Sequence, residues 1–197
     1  MPVGVPKVSY LINGEEEESW VELYHAVYRS RVLFIGQEIT DEISNQICGM
    51  MVFLNIENQK KKIVLLLNSP GGSILPGMAI FDLMQTLPSP VHTICVGTAA
   101  SMAALLLVGG ESKQRTAFPH CRVMMHQPAS SVFDGPSYEC GVHANAIRQF
   151  RQNMIEIYQQ RTGKPYSQIY EDIHRDFFMS AKAAQAYGIV DELSNEE

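Results

Sequence analysis

IVLLLNSPGGSILPGMAIFDLMQTLPSPVHTICVGTAASMAALLLV, residues Ile63 to Val108, carries a strand and a helix twice over. Ile63 to Leu67 is an unbroken apolar run directly after Lys60, Lys61 and Lys62, the pattern of a strand covered on both faces. Asn68-Ser69-Pro70-Gly71-Gly72 ends it, and Pro followed by Gly suits a type II turn with positive φ at the glycine. A helix is predicted from about Gly77 to Leu87, with Pro88 and Pro90 as breakers, then a strand from Val91 to Cys95. The apolar run Met102 to Val108 reads as a buried helix. Strand, helix, strand, helix predicts an α/β fold with parallel pairing and right-handed crossovers.

Outward from this stretch the same signals recur. Met1 to Glu18 holds Pro2, Gly4, Pro6 and Gly14 with few large apolar residues, and predicts an arm or loop. An amphipathic stretch from Trp20 to Tyr28 leads to a strand at Val32 to Ile35, ended by Gly36. Thr40 is placed to cap a helix with Asp41 and Glu42 in its first turn and Ile43, Ile47, Met50, Met51 and Leu54 on one face. Arg122 to Met125 reads as a short strand and Ala129 to Tyr138 as polar and turn-rich. A long helix follows from about Glu139 to Arg161, with Ile147, Phe150, Met154, Ile157 and Tyr158 on one face and Gly163 as its stop. Ser180 caps a last helix that Gly188 closes before a short strand at Ile189 to Val190.

The chain has 197 residues, one domain's worth, and 46% hydrophobic content suffices for a substantial core. A net charge of −6 gives no hint of nucleic-acid binding. Cys48, Cys95, Cys121 and Cys140 form no C-x-x-C pair and read as reduced packing residues rather than disulfides or metal ligands. No apolar run approaches the roughly 18 residues of a membrane span. The first residues lack the basic, acid-poor composition of an import signal and carry Glu15 to Glu18 instead, so the protein is expected to be made where it works.

Chemistry concentrates after Gly97. Ser101 opens the apolar helix where unpaired amides and the positive end of the macrodipole converge, which would stabilise an oxyanion formed by its attack on a carbonyl. Serine is equally a favoured cap there. His126 ends its strand before Gln127 and Pro128, at a strand end where catalytic groups gather, although a core histidine bonded to backbone has the same signature. A serine and histidine pair needs a carboxylate, and Asp134, Asp172 and Asp176 are all available by composition.

NSPGG at Asn68 to Gly72, TICVGTAASM at Thr93 to Met102, RVMMHQP at Arg122 to Pro128 and RDFFMSAKAAQAYGIVDE at Arg175 to Glu192 resemble the signature blocks of the Clp protease proteolytic subunit family, ClpP. The likeness spans nearly the whole chain in order. GVPKV, EISNQ, HQPASS and QRTGKP make it most similar to plastid-encoded members. The resemblance implies a ClpP and crotonase-type fold of repeated β-β-α units, a single peptidase domain over residues 1 to 197, an axial arm at 1 to 18 and a projecting strand-helix handle at about 129 to 163. It implies Ser101 as nucleophile, His126 as base and Asp176 as orienter, with the amides of Gly72 and Met102 as oxyanion donors. Phe177, Phe178 and Met179 beside Asp176 suggest partial burial, so that its carboxylate should find His126 or Arg175.

The function so implied is an ATP-independent serine endopeptidase subunit, in stacked heptameric rings with other Clp proteolytic subunits, that cleaves unfolded polypeptides fed by an AAA+ Clp unfoldase. No cofactor or metal is implied for this chain, which has no G-x-x-x-x-G-K-[ST] loop; ATP is used by the unfoldase. The implied location is the plastid stroma, with bacterial cytoplasm as the alternative. A crotonase-like acyl-CoA enzyme and a silent scaffold subunit are the rival readings. Ala103 stands where many family members have glycine, and Ser130 and Ser131 where glycines are common after the histidine strand. Unfoldase loops dock in family pockets lined by aromatic side chains, where this chain offers Val64, Leu66 and Thr86 with Ile94 and Val96.

Overall fold

The computed structural model describes residues 6–11, 18–129 and 135–194. Two short strands, β1 (Lys7–Leu11) and β2 (Glu18–Glu22), pair antiparallel with Val8 opposite Val21. Both differ from the expectation of a loose arm followed by one amphipathic stretch from Trp20 to Tyr28. Each strand supplies the other's ladder partner, a non-local condition that helical periodicity in one segment cannot reveal. Helix α1 (Leu23–Arg29) therefore starts only after Glu22.

Strand β3 (Val32–Ile35) then enters the main sheet, and α2 (Asp41–Glu57) follows. Its cap is as expected: Thr40 Oγ1 accepts from the Ile43 amide at 3.4 Å. Strand β4 (Ile63–Ser69) buries Ile63, Leu65 and Leu67 completely. Helix α3 (Ile74–Thr86) begins three residues before Gly77, because Pro76 in the first turn costs no intrahelical bond. Strand β5 (Val91–Ala100) runs five residues past Cys95 and leads into α4 (Met102–Val108), in which every residue is buried. Unforeseen strand β6 (Arg115–Ala117) and helix α6 (Tyr166–Asp172) flank β7 (Arg122–Met125) and the long α5 (Ser137–Thr162). Strand β8 (Phe177–Ser180), α7 (Ala181–Tyr187) and β9 (Glu192–Leu193) complete the order. Ser180 caps α7 and Gly188 closes it at φ 96°, but the last strand begins after Ile189 and Val190, whose side chains are buried.

Among the described residues the main sheet has seven strands, in the order β3-β4-β5-β6-β9, with β7 paired to β5 and β8 to β7. Every pairing in it is parallel except β7 with β8. One edge of β5 serves two strands in succession: Thr93 to Cys95 pair with β6, and Thr98 to Ala100 with β7. The change of partner is made at Gly97, where φ is +92° and a Cβ would meet Asn68 Oδ1 at 2.7 Å. On the opposite edge the β4 register slips between Leu67 and Ser69, and the Asn68 side chain fills the gap by accepting from the Thr98 amide at 3.1 Å.

At the far end the parallel pairing of β6 with β9 is locked by a buried ion pair. The Arg115 guanidinium donates to Asp191 at 2.6 and 2.9 Å, and the Arg115 amide to the same carboxylate at 3.1 Å. Burial pushes the Asp191 carboxyl up, but the bonds from Arg115 outweigh it and hold the group below its ordinary value. Removing one partner leaves a buried charge, so Asp191→Ala is expected to cost about 3 kcal/mol by denaturant titration. Because the folded value is the lower one, the carboxylate's contribution is complete above about pH 4. It is lost as pH falls through the folded value. A smaller difference between parent and variant at pH 3 than at pH 7 is the expected result.

Candidate active site

Ser101 occupies the corner between β5 and α4, at φ 54° and ψ −122°, a conformation that costs an L-residue strain. Three neighbours hold it. Its amide donates to Met124 O at 2.9 Å across the β5–β7 pair, and its carbonyl accepts from Ala104 and Leu105 as the first turn of α4 forms. The capping reading fails here: the Ser101 side chain makes no cap bond, and its Oγ lies 2.9 Å from His126 Nε2.

His126 follows β7, whose parallel pairing sets Ala100 opposite Met124 and so draws the ends of β5 and β7 together. Strand β8 runs antiparallel to β7 with Met125 opposite Phe177, which brings the residue before β8 beside the residue after β7. These are Asp176 and His126, with Nδ1 and Oδ1 3.2 Å apart. Three neighbouring strands thus deliver a serine, an imidazole and a carboxylate to one end of the sheet. The loops are tied as well: the Gln127 amide donates to Ile173 O at 2.7 Å, and its side chain to His174 O at 3.2 Å.

Of the other candidate carboxylates, Asp172 accepts from the Tyr187 hydroxyl at 2.7 Å, and Asp134 lies outside the described residues. Burial first, and then Asp172, push the Tyr187 phenol well above its ordinary value, so this bond persists across the working pH range. Asp176 is not partly buried as expected: its side chain is 60% exposed, against 28% for His126. The reason is its place. Among the described residues strand β8 has only β7 as a partner, and its aromatic residues divide, Phe177 packing on Tyr187 while Phe178 faces outward. The carboxylate meets His126, not Arg175.

The Pro-Gly-Gly turn lies against the same corner. Both glycines have positive φ, +100° at Gly71 and +153° at Gly72. A Cβ on Gly71 would come within 2.7 Å of Ser101 Cβ and 3.1 Å of the Met102 amide nitrogen. The Cβ direction of Gly72 is filled by the Ile39 backbone. Among the described residues the Gly72 N–H has no backbone partner, and Met102, first in α4, has none within its helix. Gly71, read from the sequence only as the positive-φ residue of the turn, also lies against Ser101. Its signal was the doubled glycine, of which the first, not the second, backs the serine.

A hydroxyl bonded to imidazole Nε2, an Nδ1 facing a carboxylate, and amides without backbone partners at the glycine turn and at the start of α4 are the parts of nucleophilic acyl transfer. The Clp protease family profile matches residues 15–197. The chain belongs to the Clp protease family. The ATP-dependent Clp protease proteolytic subunit of Epifagus virginiana is 56% identical over 191 residues, 97% of each chain. Those of Nicotiana tabacum and Cucumis sativus are 53% and 54% identical over 97% of this chain. The mixed α/β architecture with its mostly parallel sheet is that of the Clp protease fold, and the chain is a proteolytic subunit, a peptidase, of that family.

Gly71→Ala should press on Ser101 from beneath and move it. Peptide cleavage by that variant is expected to fall about 100-fold, the scale of a 1 Å misplacement. Gly141→Ala, in α5 with open space around it, is the control. It should leave cleavage unchanged and raise stability by about 0.5–1 kcal/mol.

Proposed function

We propose that Ser101, His126 and Asp176 form the catalytic set of a serine endopeptidase, and that the amides of Gly72 and Met102 receive the oxyanion. The observation that carries this reading is the continuous bonding from Ser101 Oγ through both imidazole nitrogens to Asp176. In the resting site the Ser101 hydroxyl donates to Nε2, and Nδ1–H donates to Asp176. As Oγ attacks the scissile carbonyl, its proton passes to Nε2, and the carboxylate stabilises the imidazolium. The carbonyl oxygen takes the negative charge against the two amides. Nε2–H then protonates the departing amine, the C–N bond breaks, and an acyl group remains on Ser101. Water attacks that ester with His126 again as base, releasing the carboxylic acid and restoring the serine.

The substrate class we propose is unfolded polypeptide delivered by an AAA+ unfoldase that spends the ATP, with this chain needing no cofactor of its own. Two surfaces support assembly into rings with other Clp proteolytic subunits. Beyond the core face of the sheet, Phe34, Leu66 and Ile94 form a row across β3, β4 and β5, partly open to solvent. On α2, Val52, Phe53 and Ile56 are exposed together. An apolar face of this kind is poorly tolerated in water without a partner. In α5, Met154 and Tyr158 are buried in the chain's own core, while Tyr138 and Val142 near its start are exposed, so the first half is the part free to serve as a handle. The neighbouring segment with Ser130 and Ser131 lies outside the described residues, as does most of the proposed axial arm.

Val64 and Leu66 stand half-buried on the outward sheet face and Thr86 is exposed at the end of α3, its hydroxyl bonded to Asp82 O at 2.8 Å. Small side chains there give a docked unfoldase loop less area to bury than aromatic rings would. Plant relatives at this level of identity support the plastid stroma as the place of work.

Ser101→Ala should abolish cleavage of a fluorogenic peptide and leave assembly intact; full activity in that variant would end the proposal. Asp176→Asn is expected to slow turnover by about 10⁴-fold through the wrong imidazole tautomer. On the assembly side, Phe53→Glu should shift native mass spectra from rings to smaller species. An unchanged assembly would show that α2 is not an interface.

A further inference from the structure

We infer that Ser69 is a positioning residue for the oxyanion-binding amides, acting through the turn that carries Gly72. Ser69 ends β4 at 1% exposure, in a place where an aliphatic residue would continue the burial pattern of Ile63, Leu65 and Leu67. Its hydroxyl donates to Gln37 O at 2.6 Å and accepts from the Gly71 amide at 3.1 Å. Two backbone groups from separate segments, one of them the buried Gly71 N–H, are satisfied by one side chain.

The rest of the turn hangs from the same segment. Ile39 N–H donates to Gly71 O at 2.8 Å, and Ser73 N–H donates to Ile39 O at 3.0 Å, so Gly72 is bridged to Ile39 on the side away from Ser101. Toward Ser101 the turn makes steric contact, with the Cβ direction of Gly71 closed by Ala100 O and Ser101 Cβ at 2.7 Å. The distance between the Gly72 amide and the reacting carbonyl is therefore set by how the turn is hung from Gln37 and Ile39. Ser69 Oγ is the side-chain member of that suspension. Without it the Gly71 N–H loses its acceptor, and the peptide planes on either side of Gly71 can rotate. Oxyanion donors act only when they lie about 2.7–3.1 Å from the charge that develops, so a small rotation lowers turnover while leaving ground-state binding untouched.

The inference rests on the proposed catalytic set, and the test separates the two. Ser69→Ala, Ser69→Cys and Ser69→Thr are assayed in the assembled protein for kcat and KM on a fluorogenic peptide. A peptide aldehyde, which forms a tetrahedral adduct, and the pH profile of kcat/KM complete the set. Ser69→Ala should lose about 10- to 100-fold in kcat, less than deletion of a whole oxyanion donor. Its KM should stay within about twofold, and aldehyde affinity should fall by the same factor as kcat. The pH profile should not move, since His126 and Asp176 are untouched. Ser69→Thr, which keeps the hydroxyl, should recover most of the loss. If Ser69→Ala fails to assemble, Ser69→Cys is judged by the same criteria, its thiol keeping the volume and weakening the bond. The inference is overturned if kcat is unchanged, if KM alone moves, or if kcat falls while aldehyde affinity holds. Full activity in Ser101→Ala would instead remove the catalytic set beneath it.

Discussion

Strand β5 has two edges and three neighbours. It meets that demand by giving one edge to β4 along its length and dividing the other between β6 and β7. A flat ladder cannot do this, and the required bend falls at Gly97, where positive φ and the absence of a Cβ admit the Asn68 side chain. Nearly everything about the site follows from that division. Pairing the last residues of β5 with β7 places Ser101 next to the end of β7, and the antiparallel addition of β8 returns the chain so that Asp176 arrives from the other direction.

The three side chains then sit in a gradient of burial. Ser101 is fixed by a strained backbone that the fully buried α4 holds in place, a case of core packing stabilising local strain at a functional corner. His126 is mostly covered, and Asp176 is largely open to solvent. A contact at such exposure competes with water and contributes little to stability. What orients His126 toward Asp176 is thus the β7–β8 register with the bonds from Gln127 to Ile173 and His174. Orientation comes from the strand register and these loop bonds, which leaves the carboxylate free for the electrostatic role proposed for it.

Much of this was legible in the residues. Apolar runs and turn signals located β3, β4, β7, α2 and α7, and Thr40, Ser180, Gly163 and Gly188 capped or closed their helices as read. Ser101, His126 and Asp176 were singled out by motif, and they do lie in one hydrogen-bonded series. The misses share a cause. Strands β1, β2, β6 and β9 are short and owe their existence to a partner elsewhere in the chain, which no local period records. The strand predicted from Val91 to Cys95 runs on to Ala100, because Gly97 lets it continue through a bend. The exposure of Asp176 was misjudged because flanking aromatics suggest a core, yet at a sheet edge alternate residues face outward and Phe178 is one of them, 68% exposed. The roles of Gly71 and Ser69 needed the spatial approach of Ile39 and Gln37, a contact between segments some thirty positions apart in sequence.

The central claim is that Ser101 is a nucleophile activated by His126, and its most direct test is covalent. Exposure of the assembled protein to a fluorophosphonate, followed by proteolysis and mass spectrometry, should place the phosphonyl group on Ser101 and on no other serine. Labelling should collapse in His126→Ala although Ser101 is still present. A label on another serine, or one that reaches Ser101 at the same rate without the imidazole, would contradict the account.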